Sequence, residues 1–481
     1  MPKPDDVFDR VDEWSRLEAF ATDRRPGARL AVVRGRRRHG KSVLLRALAS
    51  TTDGFYHQAL EGSSADQLRD LGAAVMRRLG LPAGVELADW SALLDALFTV
   101  ADRESPVVIL DEFSYLVDAE PALPSLLQRA LDARRRTGPP LRLIVCGSAL
   151  SIMSTLLVGG APLRGRASVE LLVRAFDHVT AARFHAIDDP TLALRVFAVI
   201  GGVPGYSVDL LDEDLPRNIE DFDDWMVRGP LSTTRPLLYE ARHLLDEPAI
   251  RDRSLYVSVL AALAAGASTN GQVAQRLGRS APAIAHPLGL LADLEIVTRH
   301  DDPLRGRRPR WTITDPLLRF WIAVMRPDWQ RIEEGRATEV WRDAAPRWQA
   351  QVVGPTVEDL ARQWVSRHTT RFGSLRTVAA AVINDPKGRT QHELDIVGVD
   401  ANTGRVTVIG EAKAGSVDAS HLRRLERIRA LLVSRDKADP AAALVLVTLG
   451  GWRDGLDADD HPDLTLVDAA DLYRSPDTSP S

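Results

Sequence analysis

The chain has 481 residues, a 45% hydrophobic fraction, 26% charged residues and a net charge of −5. That length suggests about three domains, the composition is that of soluble globular protein, and the negative balance excludes a chain-wide nucleic-acid-type charge. One cysteine, Cys146, excludes an internal disulfide and suits a reducing cytosol.

The start, MPKPDDVFDR, is polar and reads as no signal peptide. Apolar runs such as Val257–Ala265 and Ala441–Leu449 stop short of the ~18 residues a bilayer crossing needs. A cytoplasmic protein without a membrane partner is expected. Phe8–Leu17 (FDRVDEWSRL) reads as a loop entering a helix, either packed near a nucleotide base or simply capping the fold. From Arg29 to Leu48 the chain reads RLAVVRGRRRHGKSVLLRAL, a strand, a glycine-bounded loop and an amphipathic helix. The loop GRRRHGKS matches G-x-x-x-x-G-K-[ST] at Gly35, Gly40, Lys41 and Ser42, with His39 inside it. Such a loop turns successive backbone N–H groups toward a polyphosphate, and the helix N-terminus adds its positive end. Lys41 is assigned to the β/γ-phosphates and Ser42 to magnesium. Of 61 basic residues only five are lysine, Lys3, Lys41, Lys387, Lys413 and Lys437. An ammonium is not interchangeable with a guanidinium at a tight site, so each internal lysine points to a site.

Helical spacing is found at Ser64–Leu79 and Trp90–Ala101, and a short strand at Gly54–Leu60. Val107–Leu110 is apolar throughout, as a buried parallel strand is, and ends in Asp111 and Glu112. Acids at the carboxyl end of such a strand, about 70 residues after the loop, suit magnesium binding (Asp111) and water activation (Glu112). A further strand, Leu141–Cys146, leads to Ser148, read as a γ-phosphate sensor, as a helix N-cap, or as both. In PLRGRAS, Arg164 or Arg166 is a candidate arginine finger, acting in cis or from a neighbouring subunit of a homo-oligomer. Val169–Leu245 reads as mostly helical, a lid on the ATPase.

Leu255–Val297 has the cadence of a winged helix-turn-helix. Its wing, Arg299–Thr314, carries Arg305, Arg307, Arg308 and Arg310, suited to DNA phosphates. Pro287 is expected to kink or shorten the third helix; the alternative is a packing module that never touches DNA. The aromatic-rich stretch Trp321–Trp348 bridges to a last α/β pattern. There, Thr356–Thr369 is a helix carrying Glu358, and Leu375–Asn384, His392–Val399 and Val406–Ala412 are strands. Strict alternation puts Glu393 and Asp395 on one face and Glu411 and Lys413 on one face. Pairing through the turn at Asn402 can bring Asp395, Glu411 and Lys413 together, with Glu358 able to join from the helix; this set suits magnesium or manganese and phosphodiester chemistry, the alternative being a salt-bridged exposed hairpin. Ala419–Val433 is a helix, with strands at Ala442–Val447 and Leu464–Val467. The tail from Ser475 reads as disordered.

Taken together the chain resembles the archaeal-type ATPases that also occur in bacteria. The matching stretches are FDRVDE (8–13), GRRRHGKS (35–42), VVILDEF (107–113), CGSALSIM (146–153), PLRGR (162–166), GGVPGY (201–206), DPLLRFW (315–321), HELDIVG (392–398) and GEAKAG (410–415). The resemblance implies a P-loop ATPase of the AAA+/STAND kind, a winged helix and a C-terminal domain similar to PD-(D/E)XK nucleases. It implies that Lys41, Ser42, Asp111, Glu112 and Ser148 serve ATP, and that Glu358, Asp395, Glu411 and Lys413 sit at nuclease-like positions. The expected fold class is therefore α/β: a parallel P-loop sheet with a helical lid, a winged helix-turn-helix, then a PD-(D/E)XK-like domain. The expected boundaries are 1–168, 169–248, 249–326, 327–474 and a tail 475–481. Two functions follow: an ATP-dependent, DNA-directed enzyme with a metal-dependent nuclease-like domain, or a regulatory ATPase switch with an inactive one.

Overall fold

Short runs of Val, Ile and Leu form a five-stranded sheet in the computed structural model, which describes residues 2–82, 86–103, 106–135, 137–306, 309–385, 388–453, 456 and 461–474. Lys387, Arg307, Arg308 and the tail from Ser475 lie outside these. Contacts divide the chain into two units, Met1–Ala175 with Glu247–Ala249, and Phe176–Asp246 with Ile250–Ser481.

In the first unit the strands are β1 (Ala28–Arg34), β2 (Phe55–Gln58), β3 (Val107–Asp111), β4 (Leu141–Gly147) and β5 (Ala167–Leu172). Their order is β2-β3-β4-β1-β5 and every pairing is parallel. Alternate residues of each strand feed two cores. Leu30, Val32, Val108, Leu110, Leu143 and Val145 pack with the helices Ser64–Arg78 and Trp90–Arg103. Ala31, Val33, Ile109, Ile144 and Cys146 pack with the helices Val11–Ala21 and Lys41–Thr52. Burial on both faces is why Leu30–Val33 of β1, and β3 and the end of β4, read as apolar runs.

β5 corrects the expectation of helix from Val169. Its burial alternates, as an edge strand's does, and ASVELL offers no unbroken apolar run to announce it.

The second unit begins with helices, among them Pro190–Ile200, Phe222–Arg228 and Leu237–His243. Three helices follow, Arg253–Ala264, Asn270–Leu277 and Ala281–Asp293, then the antiparallel pair β6 (Val297–Asp301) and β7 (Pro309–Ile313). Thr269 and Gln272 form a capping box that starts the middle helix. The third helix is not shortened at Pro287, which is buried within it with six residues beyond. A mixed five-stranded sheet ends the unit. Its strands are β8 (Leu375–Asp385), β9 (Thr390–Asp400), β10 (Val406–Lys413), β11 (Ala438–Thr448) and β12 (Leu464–Val467), in the order β12-β11-β10-β9-β8. β8, β9 and β10 are antiparallel, whereas β10, β11 and β12 are parallel, the helix Ala419–Val433 crossing between β10 and β11. Strict alternation fails in β9: Leu394 and Val397 enter the same core, because the pairing with β8 shifts between Ala379 and Ala381.

Gly202 shows a backbone contact that only glycine permits. Its carbonyl accepts from the Phe176 N–H at 2.8 Å, and a Cβ would meet the Phe176 carbonyl oxygen at 1.9 Å. Gly202→Ala is therefore expected to destabilise the chain by about 1–3 kcal/mol, the cost of overpacking, seen as a lower urea midpoint with an unchanged slope.

Candidate nucleotide site and a second charged cluster

The loop from Gly35 to Gly40 lies where β1 ends. Gly40 adopts the left-handed turn (φ 86°) that starts the helix Lys41–Thr52, and no side chain caps that helix. Its first-turn N–H groups are thus left to an external acceptor. Gly35 lies against the backbone, since a Cβ there would sit 2.3 Å from the Val173 carbonyl oxygen. Lys41 is 4% exposed, and its Nζ donates to the Arg36 carbonyl at 2.8 Å. Among the described residues it has no ion-pair partner. A buried ammonium answered only by a neutral carbonyl, beside uncapped N–H groups, fits a polyphosphate.

His39 faces elsewhere. It is buried, and its Nδ1 donates to the Val173 carbonyl at 3.2 Å. Burial, with Arg36, Lys41 and Arg10 nearby, holds its pKa well below the ordinary value. Its ring fastens the loop to the segment after β5, leaving its backbone to face a ligand. Arg10 secures the same junction, donating to the His39 carbonyl at 2.9 Å and the Arg174 carbonyl at 2.7 Å.

Asp111 ends β3 and is fully buried. One oxygen accepts from the Glu112 N–H at 2.9 Å, the other from the Tyr56 hydroxyl at 2.7 Å. Glu112 holds a left-handed conformation (φ 52°), a strain of order 1–3 kcal/mol of the kind concentrated at functional sites. Its Oε2 accepts from the Ser148 hydroxyl at 2.8 Å and the Ser148 N–H at 3.2 Å. β3 and β4 are neighbours, Leu110 opposite Val145, which brings the two strand ends together as the sequence reading requires. Ser148 is not a helix cap: the helix Leu150–Thr155 is headed by Ala149.

Arg166 is at the wrong edge for a finger in cis. It precedes Ala167, which lies opposite Leu30 near the start of β1, whereas Lys41 and Asp111 follow strand ends. Its guanidinium forks onto both oxygens of Asp132, at 3.0 and 2.7 Å. Arg164 is exposed and donates to the Gly159 carbonyl at 2.6 Å.

The second unit gathers a charged cluster. Lys413 lies 2.8 Å from Glu411 and 3.7 Å from Asp395. Asp395 also accepts from the Ala412 N–H at 3.0 Å, and Arg424 donates to the other Glu411 oxygen at 2.6 Å. Glu358 joins from the helix Gly354–Arg367, 3.9 Å from Arg362. Glu393, which alternation places beside Asp395, is instead exposed and pairs with Arg310. Both oxygens of Glu411 are therefore held by cations. Among the described residues no group of three or more His, Cys, Asp or Glu side chains is placed to hold a metal. As arranged, the Glu411 carboxylate is paired with Lys413 and Arg424.

The hairpin β6–β7 is latched to the last sheet. Arg305 donates to Asn384 and Arg310 to Glu393, Lys437 donates to the Leu304 carbonyl at 2.9 Å, and Asp302 accepts from the Val382 N–H at 3.2 Å. Two of the four wing arginines are thus spent within the chain. Sequence reasoning had no signal for this docking, because each contact joins residues about 80 or more apart.

Residues 7–192 match a family described as an ATPase domain predominantly from Archaea. Over that stretch, which includes the loop at Lys41 and the strand ending in Asp111, the chain is similar to an archaeal-type ATPase domain. That family implies nucleotide binding. An uncharacterized protein of Methanocaldococcus jannaschii is 25% identical over 319 residues, 63% of this chain and 66% of that protein, so this chain spans just under two thirds of its relative. Among solved structures, a Walker-type ATPase of Pyrococcus abyssi is 20% identical and covers 71% of this chain and 97% of its own, with a TM-score of 0.47. The ORC2 protein of Aeropyrum pernix is 16% identical and covers 72% of this chain and 97% of its own, with a TM-score of 0.40. Among the described residues no helix is long and apolar enough to cross a membrane.

The cluster around Glu358 generates a pH effect. Its half-buried setting, then the nearby Asp395 carboxylate, push its pKa up from 4.5 to about 7. A folded pKa raised above the unfolded one means the native state binds the extra proton. Stability from this group is complete below pH ~4.5 and is lost as pH climbs toward ~7. Glu358→Gln is expected to flatten that decline and to gain on wild type in urea melts at pH 8 relative to pH 5.

Proposed function

We propose that this chain is a magnesium-dependent ATP hydrolase directed to DNA, with a nuclease-like C-terminal domain. The observation that carries the ATP half is the buried Lys41, without an ion-pair partner among the described residues, at an uncapped helix N-terminus, on the sheet edge that also bears Asp111 and Glu112. The loop N–H groups and Lys41 bind the β/γ-phosphates and orient them. Ser42 and Asp111 are the residues that would hold magnesium, which when bound supplies charge neutralisation at the phosphates. Glu112 accepts the proton of the attacking water, and Ser148 fixes the rotamer in which it does so. Arg166, if it acts as a finger, acts on a neighbouring copy.

The DNA half rests on the resemblance and on the order helix, helix, helix, hairpin, which is that of a winged helix-turn-helix. Asp395, Glu411 and Lys413, with Glu358, are the residues assigned to phosphodiester chemistry. A second reading is a regulatory ATPase switch whose last domain binds without cutting. One observation favours it: both Glu411 oxygens are already held by Lys413 and Arg424.

Two experiments separate these. Glu112→Gln should retain ATP binding while hydrolysis falls by about 100- to 10,000-fold, the usual contribution of a positioned base; undiminished hydrolysis contradicts the proposal. Plasmid DNA is then incubated with magnesium or manganese, with and without ATP. Cleavage by wild type that is lost in Asp395→Ala supports the nuclease-like reading. No cleavage by wild type, with ATP hydrolysis intact, transfers the assignment to the switch.

A further inference from the structure

Asp111 is a buried carboxylate, and one of its hydrogen bonds comes from a neighbouring strand. The donor is Tyr56 on the neighbouring strand β2, where Tyr56 lies opposite Ile109 and Gln58 opposite Asp111. The Tyr56 hydroxyl is itself engaged on its other side: Arg46 Nε donates to it at 3.2 Å, and Arg46 Nη2 donates to Gln58 at 2.6 Å. The Arg46 guanidinium also lies 5.5 Å from the centre of the Tyr56 ring. Arg46 sits in the helix Lys41–Thr52 four residues after Ser42, so the two side chains share a helix face.

These contacts close a loop. The helix that presents Ser42 is tied through Arg46 to Tyr56, and Tyr56 is tied to Asp111 on β3. An O–H that accepts from a cation while donating to a carboxylate is polarised in the direction that strengthens the second bond. Arg46 is exposed, and the half-buried Tyr56 ring packs against the core that holds Val33 and Ile109, so Tyr56→Phe removes the hydroxyl and keeps the packing.

We infer that Tyr56, backed by Arg46, is a positioning residue for the ATPase site: it fixes the Asp111 carboxylate in register with Ser42 for a divalent cation bound with the nucleotide. This rests on the ATPase reading above. It predicts a defect confined to the metal-dependent part of nucleotide binding, because the phosphate cradle of Gly35–Lys41 is untouched.

The test is equilibrium binding of a fluorescent, non-hydrolysable ATP analogue to the full chain, in EDTA and in magnesium. Wild type is expected to bind in EDTA and more tightly in magnesium. Tyr56→Phe should bind as wild type does in EDTA, while its gain from magnesium falls about three- to tenfold, the net worth of one ordinary hydrogen bond. Arg46→Gln should lose part of the same gain, and it decides the matter if Tyr56→Phe melts early. Manganese, a stronger carboxylate binder, should restore some of the loss. An undiminished magnesium gain in both variants overturns the inference, as does an equal loss in EDTA and in magnesium. Absence of analogue binding by wild type is a different failure, and sinks the ATPase reading itself.

Discussion

A buried ammonium with a neutral partner organises the first unit. Lys41 is nearly inaccessible, and the group it touches is a carbonyl of its own loop. Burying a charge this way is costly unless an anion completes it. The surroundings are arranged to receive one: Gly40 turns the chain into an uncapped helix, and Gly35 lets the loop press against Val173. His39 and Arg10 clamp the loop to the end of the sheet. The two flanking cores hold the strands whose ends carry Asp111 and Ser148. The apolar packing thus fixes where the charged groups stand.

Much of this was legible because the relevant signals are local. The strand-loop-helix around Lys41, the apolar run ending in Asp111, and the turn at Asn402 each fall within a short window. So does the helix Ala419–Val433, found at its predicted bounds. What was not legible depends on contacts remote in sequence. β5 is a half-exposed edge strand whose partner lies more than 130 residues earlier, and Arg166 becomes unavailable in cis only once that parallel pairing is known. Ser148 was open between two roles because only the fold places Glu112 beside it. Tyr56 carried no motif; its significance is a cross-strand contact with Asp111.

The second unit shows the same division. Its carboxylates and lysine were brought together by hairpin logic, although a shift in β9 sends Glu393 away. A continuous ladder runs from Arg319 to Asp359, from Asp359 to Arg362, and on to Glu358, with Lys413 and Arg424 closing on Glu411. Burial pushes Asp359 up, but Arg319 and Arg362 outweigh it and hold the group below its ordinary range. Glu411 likewise ends low, Lys413 and Arg424 overcoming its burial. The hairpin β6–β7 closes against the same sheet. Of the arginine-rich turn in the sequence, Arg305 and Arg310 are docking contacts in the fold.

The central claim is that Lys41 is a site residue and not a spare surface cation. The most direct measurement is calorimetric titration of ATP into wild type and Lys41→Arg. A guanidinium keeps the charge but is too large and planar for a pocket that encloses an ammonium. The account predicts that Lys41→Arg loses at least about tenfold in affinity, about 1.4 kcal/mol, with an unchanged melting temperature. Equal affinity in the two proteins would contradict it.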